Sequence, residues 1–311
     1  MAEGEKSMKK IAIIVPCYNE EDVIDSFYEE IQKWYNENYE MNLLFVNDGS
    51  KDKTLEKIRE YAKNDPKVKY ISFSRNFGKE AAMQAGLEKC KDKDAVIIMD
   101  ADLQHPPHLI PEMIKNWEEG YNIVYTKFSS RKGESLLKRF FTRCFYGVFN
   151  HYADVKMERG VKDYQLLDKK VVNAFLSLPD NNRFMKGIFS WVGFSKICIP
   201  FEFIEREKGK SKWNFRKLFK YGWNGVNQFS SILMLFVKLA MFLVFAVAVT
   251  ETVLYFTIDG YFFKEYIRDL KLDIFVYIAF FLIRMQFYLA YSNRRQIFNR
   301  PIYLIEEETN D

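Results

Sequence analysis

Between residues 11 and 99, short apolar runs alternate with longer amphipathic stretches, and every run stops at polar turn residues. Residues 11–15 end at Pro16, and 43–46 end at Asn47-Asp48-Gly49-Ser50. Residues 68–73 end at Ser74-Arg75-Asn76, and 95–99 end at Asp100-Ala101-Asp102. Apolar runs of this length, bounded by turn signals, read as strands. Between them, residues 20–38 put Val23, Phe27, Ile31 and Trp34 on one helical face. A second helix is expected to end near Lys63, and a third to occupy residues 79–91. Strands separated by helices need crossover connections. The expected fold is therefore α/β, with a Rossmann-like, mostly parallel, twisted sheet. A chain of 311 residues has room for that domain and further segments.

All four polar strand ends fall at one edge of such a sheet, and each carries acids or amides. Ligands of open parallel sheets bind beyond the carboxyl ends of the strands. Asp100 and Asp102 stand one residue apart there, with Gln104, His105 and a Pro106-Pro107 corner following. Two carboxylates without an adjacent base suit a hard divalent cation, Mg²⁺ or Mn²⁺, shared with a substrate phosphate.

Other features narrow the chemistry. No G-x-G-x-x-G follows the first strand, and no G-x-x-x-x-G-K-[ST] occurs in the chain. That argues against hydride transfer and P-loop chemistry, and for a metal-neutralised nucleotide diphosphate. The net charge of +4 is only mildly basic, and no nucleic-acid partner is expected. Cys17, Cys90, Cys144 and Cys198 match no metal or disulfide spacing and are expected to be reduced thiols. Residues 1–10 are polar and lack the apolar core of a signal peptide.

The motifs in series carry a resemblance. I-V-P-C-Y-N-E, V-N-D-G-S-K-D-K-T, S-R-N-F-G-K-E-A-A-M-Q-A-G-L and M-D-A-D-L-Q-H-P-P follow one another. They continue through V-K-D-Y-Q-L-L-D, N-R-F-M-K-G-I-F-S-W-V-G-F and R-E-K-G-K-S-K-W. Over residues 9–230 the chain resembles a family 2 glycosyltransferase of the GT-A fold. Within that family it most resembles the polyprenyl- and dolichyl-phosphate sugar transferases. The resemblance implies inverting transfer of a sugar from a nucleotide sugar, usually UDP- or GDP-linked, to a lipid phosphate.

The same resemblance implies roles for individual residues. Pro16, Tyr18, Glu20, Asp48, Asp100 and Arg206 would line the nucleotide sugar. Asp100 and Asp102 would bind the metal, with Gln104 as a further ligand. Asp163 takes the family's catalytic acidic position. Lys127, Arg131 and Lys212 would meet the acceptor phosphate. Three departures stand out: Lys127 where relatives often carry Arg, His105 where an acid is common, and no Pro-Leu after Phe229-Ser230. A sugar hydroxyl acceptor needs a general base, because it is a poor nucleophile at neutral pH. A phosphate with a second pKa of about 6 is already largely dianionic at pH 7. Asp163 is therefore expected to orient the acceptor, or to stabilise positive charge on the ring, more than to abstract a proton.

The second half of the chain points to a membrane. Residues 135–150 and 214–229 each set aromatic and aliphatic side chains against Lys and Arg at helical spacing. Basic amphipathic helices of that kind lie in bilayer interfaces. Residues 232–256 carry only Lys238 and Glu251 as charges, and 274–292 carry only Arg284. Both runs exceed or approach the roughly 20 residues that span a bilayer. Arg284 needs a partner, and Glu251 is the nearest by type. Basic flanks on both outer ends predict a two-pass hairpin with both flanks cytosolic.

The expected layout is a GT-A catalytic domain over 1–213 and an amphipathic interface helix over 214–230. Two transmembrane helices with a short extracytoplasmic linker follow over 231–292, and a cytosolic tail over 293–311. The expected partners are a nucleotide sugar, UDP-linked in preference, a polyprenyl phosphate and the lipid bilayer of the plasma or inner membrane; a homo-oligomer is compatible with the sequence. A processive polysaccharide synthase is an alternative, but the chain lacks its later Q-x-x-R-W. A non-catalytic membrane scaffold is another, and the joint presence of Asp48, Asp100, Asp102 and Asp163 argues against it.

Overall fold

The computed structural model describes residues 8–129, 160–178, 185–202, 261–297 and 302–309, with scattered positions in 142–158 and 239–253. Its first strand explains the rest. In β1 (Lys9–Cys17), Ile11, Ile13 and Val15 enter one core while Ala12 and Ile14 enter the other. A strand covered on both faces reads as a continuous apolar run rather than an alternation. β2 (Tyr39–Asn47), β3 (Val68–Phe73) and β4 (Ala95–Ile98) follow the same logic. Between them lie α1 (Ile24–Gln32), α2 (Thr54–Asn64) and α3 (Lys79–Lys89). After a short 3-10 turn (Pro107–Leu109) come α4 (Ile110–Glu118), β5 (Ile123–Phe128), β6 (Val161–Asp168), α5 (Lys169–Ser177) and α6 (Met185–Trp191). β7 (Lys196–Phe201), the long α7 (Tyr261–Ile297) and β8 (Ile305–Glu308) complete the described elements.

The strands form one sheet in the order β7-β5-β6-β4-β1-β2-β3-β8. β4, β1, β2 and β3 run parallel, as expected from the alternation. The chain moves outward from β1 to β3 and then returns to the other side of β1 for β4. That reversal opens a crevice at the carboxyl ends of β1 and β4. β6 pairs antiparallel with β4, Ile98 opposite Gln165, and so carries Asp163 beyond the end of β4.

Two differences from the expected elements have visible causes. The first helix starts at Ile24, not at residue 20, and ends at Gln32. Asn19 adopts a left-handed φ of 52°, and the Glu20 N–H donates to Thr54 Oγ1 at 2.8 Å, so the chain turns before it coils. At the other end, turn bonds from Trp34, Tyr35 and Tyr39 tighten the chain into a longer β2. Phe149, within the 135–150 stretch expected at a bilayer interface, is instead 1% exposed in the core, with Tyr146 packed against the same cluster. The residues 214–229 lie outside the described residues.

The chain's end returns to the sheet. β8 pairs antiparallel with β3, and Arg59 donates to both carboxylate oxygens of Glu307 at 2.7 Å. Tyr303 stacks on Phe73 with ring centroids 4.9 Å apart. α7 begins within the expected linker and runs through the expected second span. Among the described residues no helix is long and apolar enough to cross a membrane. Most of 232–256, including Glu251, lies outside them.

Candidate active site

The carboxyl ends of β1, β2 and β3 are laced together by short polar side chains. Ser50 Oγ accepts from the Asn19 N–H at 2.9 Å, and Asn19 Oδ1 accepts from the Lys51 N–H at 2.8 Å. The Asn47 amide donates to Ser72 Oγ at 2.9 Å. Gly49 completes the turn at φ 64°, where a Cβ would sit 2.3 Å from the carbonyl carbon of Arg75. The loops after β2 and β3 therefore touch backbone to backbone, and only glycine fits between them. Pro16, Tyr18 and Glu20 stand half-buried at the end of β1 beside this lattice.

Asp48, expected to face the nucleotide, is 3% exposed and holds the next loop. Its Oδ1 accepts from the Phe77 N–H at 2.6 Å, and its Oδ2 from the Gly78 N–H at 2.9 Å. Burial pushes its carboxyl up to about 6, against the lowering effect of those two amides. A raised acid in the folded state favours protonation, so its contribution to stability is greatest at low pH and is lost as pH rises through about 6. Relative to Asp48→Asn, wild-type protein should therefore gain about 1 kcal/mol of stability between pH 7 and pH 5. Parallel denaturant melts of the two proteins at both pH values check this; a pH-independent difference would contradict it.

Asp100 and Asp102 follow β4 in a tight turn that puts Leu103 at a left-handed φ of 54°. Asp102 is 8% exposed, and its Oδ1 accepts from the Gln104 N–H at 3.1 Å. Gln104 thus meets Asp102 through its backbone. His105 locks the turn from below. Its Nδ1 accepts from the Asp100 N–H at 3.0 Å, and its ring stacks on Tyr164 with centroids 5.3 Å apart. Tyr164 in turn donates to the Pro106 carbonyl at 3.1 Å. Burial holds the imidazole of His105 below its usual range, so it is neutral at pH 7.

Asp163 completes the group, held by two lysines from different helices. Lys79 Nζ lies 2.8 Å from Asp163 Oδ2 and 2.6 Å from Asp100 Oδ1. Lys186 Nζ lies 3.5 Å from Asp163 Oδ1. Burial alone would raise both carboxyls. The ammoniums of Lys186 and Lys79 override it at Asp163, and that of Lys79 overrides it at Asp100, so both lie below the ordinary carboxylate range. Asp163 is ionised at neutral pH and is a weak proton acceptor. A cleft opens beside it, lined by Tyr125, Gln165, Met185, Lys186 and Phe189 among others.

Lys79 and Lys186 went unassigned from sequence. Both lie within motifs of the resemblance, G-K-E and F-M-K-G, but nothing local distinguishes them from solvated surface lysines. Lys127 lies 3.7 Å from Glu158 at the side of β5. Arg131, Arg206 and Lys212 lie outside the described residues.

The donor chemistry fits a hard cation. Asp100 and Asp102 offer carboxylate oxygens from two positions of one turn, and an ammonium already rests on Asp100. Among the described residues no cluster of three or more His, Cys, Asp or Glu side chains is arranged to hold a metal ion. A Mg²⁺ or Mn²⁺ site completed by phosphate oxygens and water needs no third side chain.

Residues 12–174 match the domain pattern described as Glycosyl transferase family 2. The chain belongs to glycosyl transferase family 2. The family domain thus takes in β1 through most of α5, and with them Asp48, Asp100, Asp102 and Asp163. CsbB of Bacillus subtilis (strain 168), a glycosyltransferase by name, is 45% identical over 221 residues, covering 71% of this chain and 67% of its own. The bactoprenol glucosyl transferase of Shigella phage SfV is 41% identical over 223 residues, covering 71% and 72%. Glucosyl-3-phosphoglycerate synthase from Mycobacterium tuberculosis, solved with Mn²⁺, UDP-glucose and phosphoglyceric acid, is 17% identical with a TM-score of 0.47, covering 70% of this chain and 78% of that one. That likeness is too distant to carry a ligand across.

Proposed function

We propose that this family 2 protein is an inverting, metal-dependent glycosyltransferase of GT-A type that moves a sugar from a nucleotide sugar, UDP-linked in preference, to a polyprenyl phosphate. The observation that carries the reading is the meeting of carboxylates at one sheet edge: Asp100 and Asp102 beyond β4, and Asp163 near the start of the antiparallel β6 beside it. Asp163 is kept ionised by two lysines, which suits an acceptor that brings no proton to remove. A lipid phosphate with a second pKa of about 6 is such an acceptor. Relatives named as bactoprenol glucosyl transferases, 41% identical across most of their length, support the same acceptor class.

In this reading Asp100 and Asp102 hold Mg²⁺ or Mn²⁺ with the donor diphosphate. The bound cation supplies Lewis-acid stabilisation of the departing diphosphate. Asp163 orients the acceptor phosphate on the opposite face of the sugar and offsets positive charge at the anomeric carbon. The bond from phosphate oxygen to that carbon forms as the bond to the diphosphate breaks, giving inversion. Pro16, Tyr18 and Glu20 line the nucleoside. By the family resemblance, Arg206 would serve the diphosphate, and Lys127, Arg131 and Lys212 the acceptor phosphate.

The lipid acceptor implies a membrane location, and one feature supports it. α7 exposes Phe275, Tyr277 and Phe280 at 64%, 76% and 68%, an apolar band that water does not favour. β8 pairs with β3, so the chain between 202 and 305 leaves and returns on the side that holds the sheet. An even number of crossings meets that condition and a single crossing does not. We take residues 231–292 as a two-pass hairpin in the plasma or inner membrane, with catalytic domain and tail cytosolic. In right-side-out vesicles, a cysteine replacing Gly260 should react with an impermeant thiol reagent, while one replacing the exposed Glu306 should not. The reverse pattern would overturn the topology.

The deciding assay for the activity supplies UDP- and GDP-sugars with undecaprenyl or dolichyl phosphate in detergent, and reads lipid products by mass spectrometry. A glycosyl phospholipid formed only with divalent cation supports the reading. Sugar released as free hexose, or no turnover with any pair, counts against it.

A further inference from the structure

Lys79 does more than keep Asp163 ionised. It is the first residue of α3, and its ammonium bridges Asp100 Oδ1 at 2.6 Å and Asp163 Oδ2 at 2.8 Å. Its position is set from behind. The Asp48 carboxylate grips the N–H groups of Phe77 and Gly78, and Gly78 turns the chain at φ 104° into the helix. The buried Asp48 thus fixes the loop that aims Lys79. Lys186 Nζ lies 3.5 Å from Asp163 Oδ1 and donates to the Val161 carbonyl at 3.3 Å.

One carboxylate, Asp100, is therefore asked to serve two cations. An ammonium 2.6 Å from Asp100 competes directly with a divalent ion for the same oxygen, and like charges this close repel. Asp102, 8% exposed in the turn after β4, supplies the second carboxylate.

We propose that Lys79 is a positioning residue that makes divalent-cation binding conditional on the nucleotide diphosphate. The inference rests on the glycosyl-transfer reading, since it takes Asp100 and Asp102 as the cation's ligands. Without nucleotide, the ammonium neutralises Asp100 and Asp163 together and opposes the cation. A nucleoside diphosphate adds negative charge on the far side of the site and tips the balance. The ammonium then gives up Asp100 and stays on Asp163, which keeps that carboxylate charged and in place for the acceptor. Binding couplings are reciprocal, so the nucleotide must raise cation affinity by the same factor that the cation raises nucleotide affinity.

The test measures Mn²⁺ binding to the full-length protein in detergent by calorimetry and by the Mn²⁺ paramagnetic resonance signal, with and without UDP. Lys79→Met removes the ammonium and keeps the length of the side chain. It should bind Mn²⁺ without UDP on the order of 10-fold more tightly than wild type, and the gain that UDP confers should shrink by about the same factor. Lys186→Met, which leaves Asp100 untouched, should stay within about twofold of wild type. Should Lys79→Met fail to fold, as judged by its melting curve, Lys79→Gln keeps a donor between the two carboxylates without the charge, and the same shift is expected of it. Wild-type protein that binds Mn²⁺ while neither neutral variant binds it more tightly would overturn the role of Lys79 and leave the transferase reading standing. Wild-type protein that takes up no Mn²⁺ in either state would overturn both.

Discussion

Asp102→Asn should slow sugar transfer by on the order of 10²-fold or more while leaving the protein folded. The turn that holds Asp102 tolerates the change. Its Oδ1 accepts from the Gln104 N–H at 3.1 Å, and an asparagine oxygen accepts the same bond. His105 and Tyr164 grip the turn through Asp100 and Pro106 and do not depend on the charge of Asp102. What the substitution removes is one of two anionic oxygen donors. Electrostatic stabilisation of a leaving group in a closed site is among the largest single effects in catalysis. The measurement is the rate of lipid-linked product formation at saturating donor, with the melting temperature as the control for folding. Wild-type turnover in the variant, or full activity of the native protein in EDTA, would refute a metal-dependent mechanism.

Asp163→Asn should be slowed as severely, and raising the pH should not restore it. If Asp163 were a general base, its task would be to take a proton from the acceptor, and alkaline solution would take that proton instead. The two lysines argue otherwise. Lys186 at 3.5 Å and Lys79 at 2.8 Å hold the carboxyl below its ordinary range, where it is a poor acceptor of protons. Its place is then electrostatic and positional, and a neutral amide supplies neither charge nor two equivalent acceptor oxygens. The native enzyme should lose activity as pH falls through about 6, following the acceptor phosphate rather than Asp163. Recovery of the variant near pH 9 would return Asp163 to the role of a base. A variant as fast as wild type at every pH would remove it from the reaction.

Much of this site was legible before any coordinates. Burial of a parallel strand on both faces leaves an uninterrupted apolar run, and a polar cluster where the run stops marks the edge where ligands bind. That logic located β1 through β4 and put Asp100 and Asp102 just past the carboxyl end of β4. The motif series added Asp163. The misplacements came where a distant partner overruled a local pattern. Residues 20–23 have helical character on their own, but Ser50 and Thr54, some thirty residues away, hold the backbone in a turn. Phe149 fits a membrane-facing stripe equally well as a core stripe, because periodicity reports that a face is apolar and not what covers it. Asp48 reads as a loop acid facing a ligand, and its bonds to Phe77 and Gly78 appear only once two loops meet.

The sequence by itself determined the strand–helix alternation, the family, the carboxylates and the edge they occupy, because these depend on short-range pattern and on residue identity. Tertiary structure alone decided the strand order, the return of β8 to β3, and the bridge from Lys79 to Asp163 across 84 positions of chain. Each of these is a pairing between segments far apart in sequence. Its energy depends on which surfaces the rest of the fold brings together, and no local periodicity encodes that.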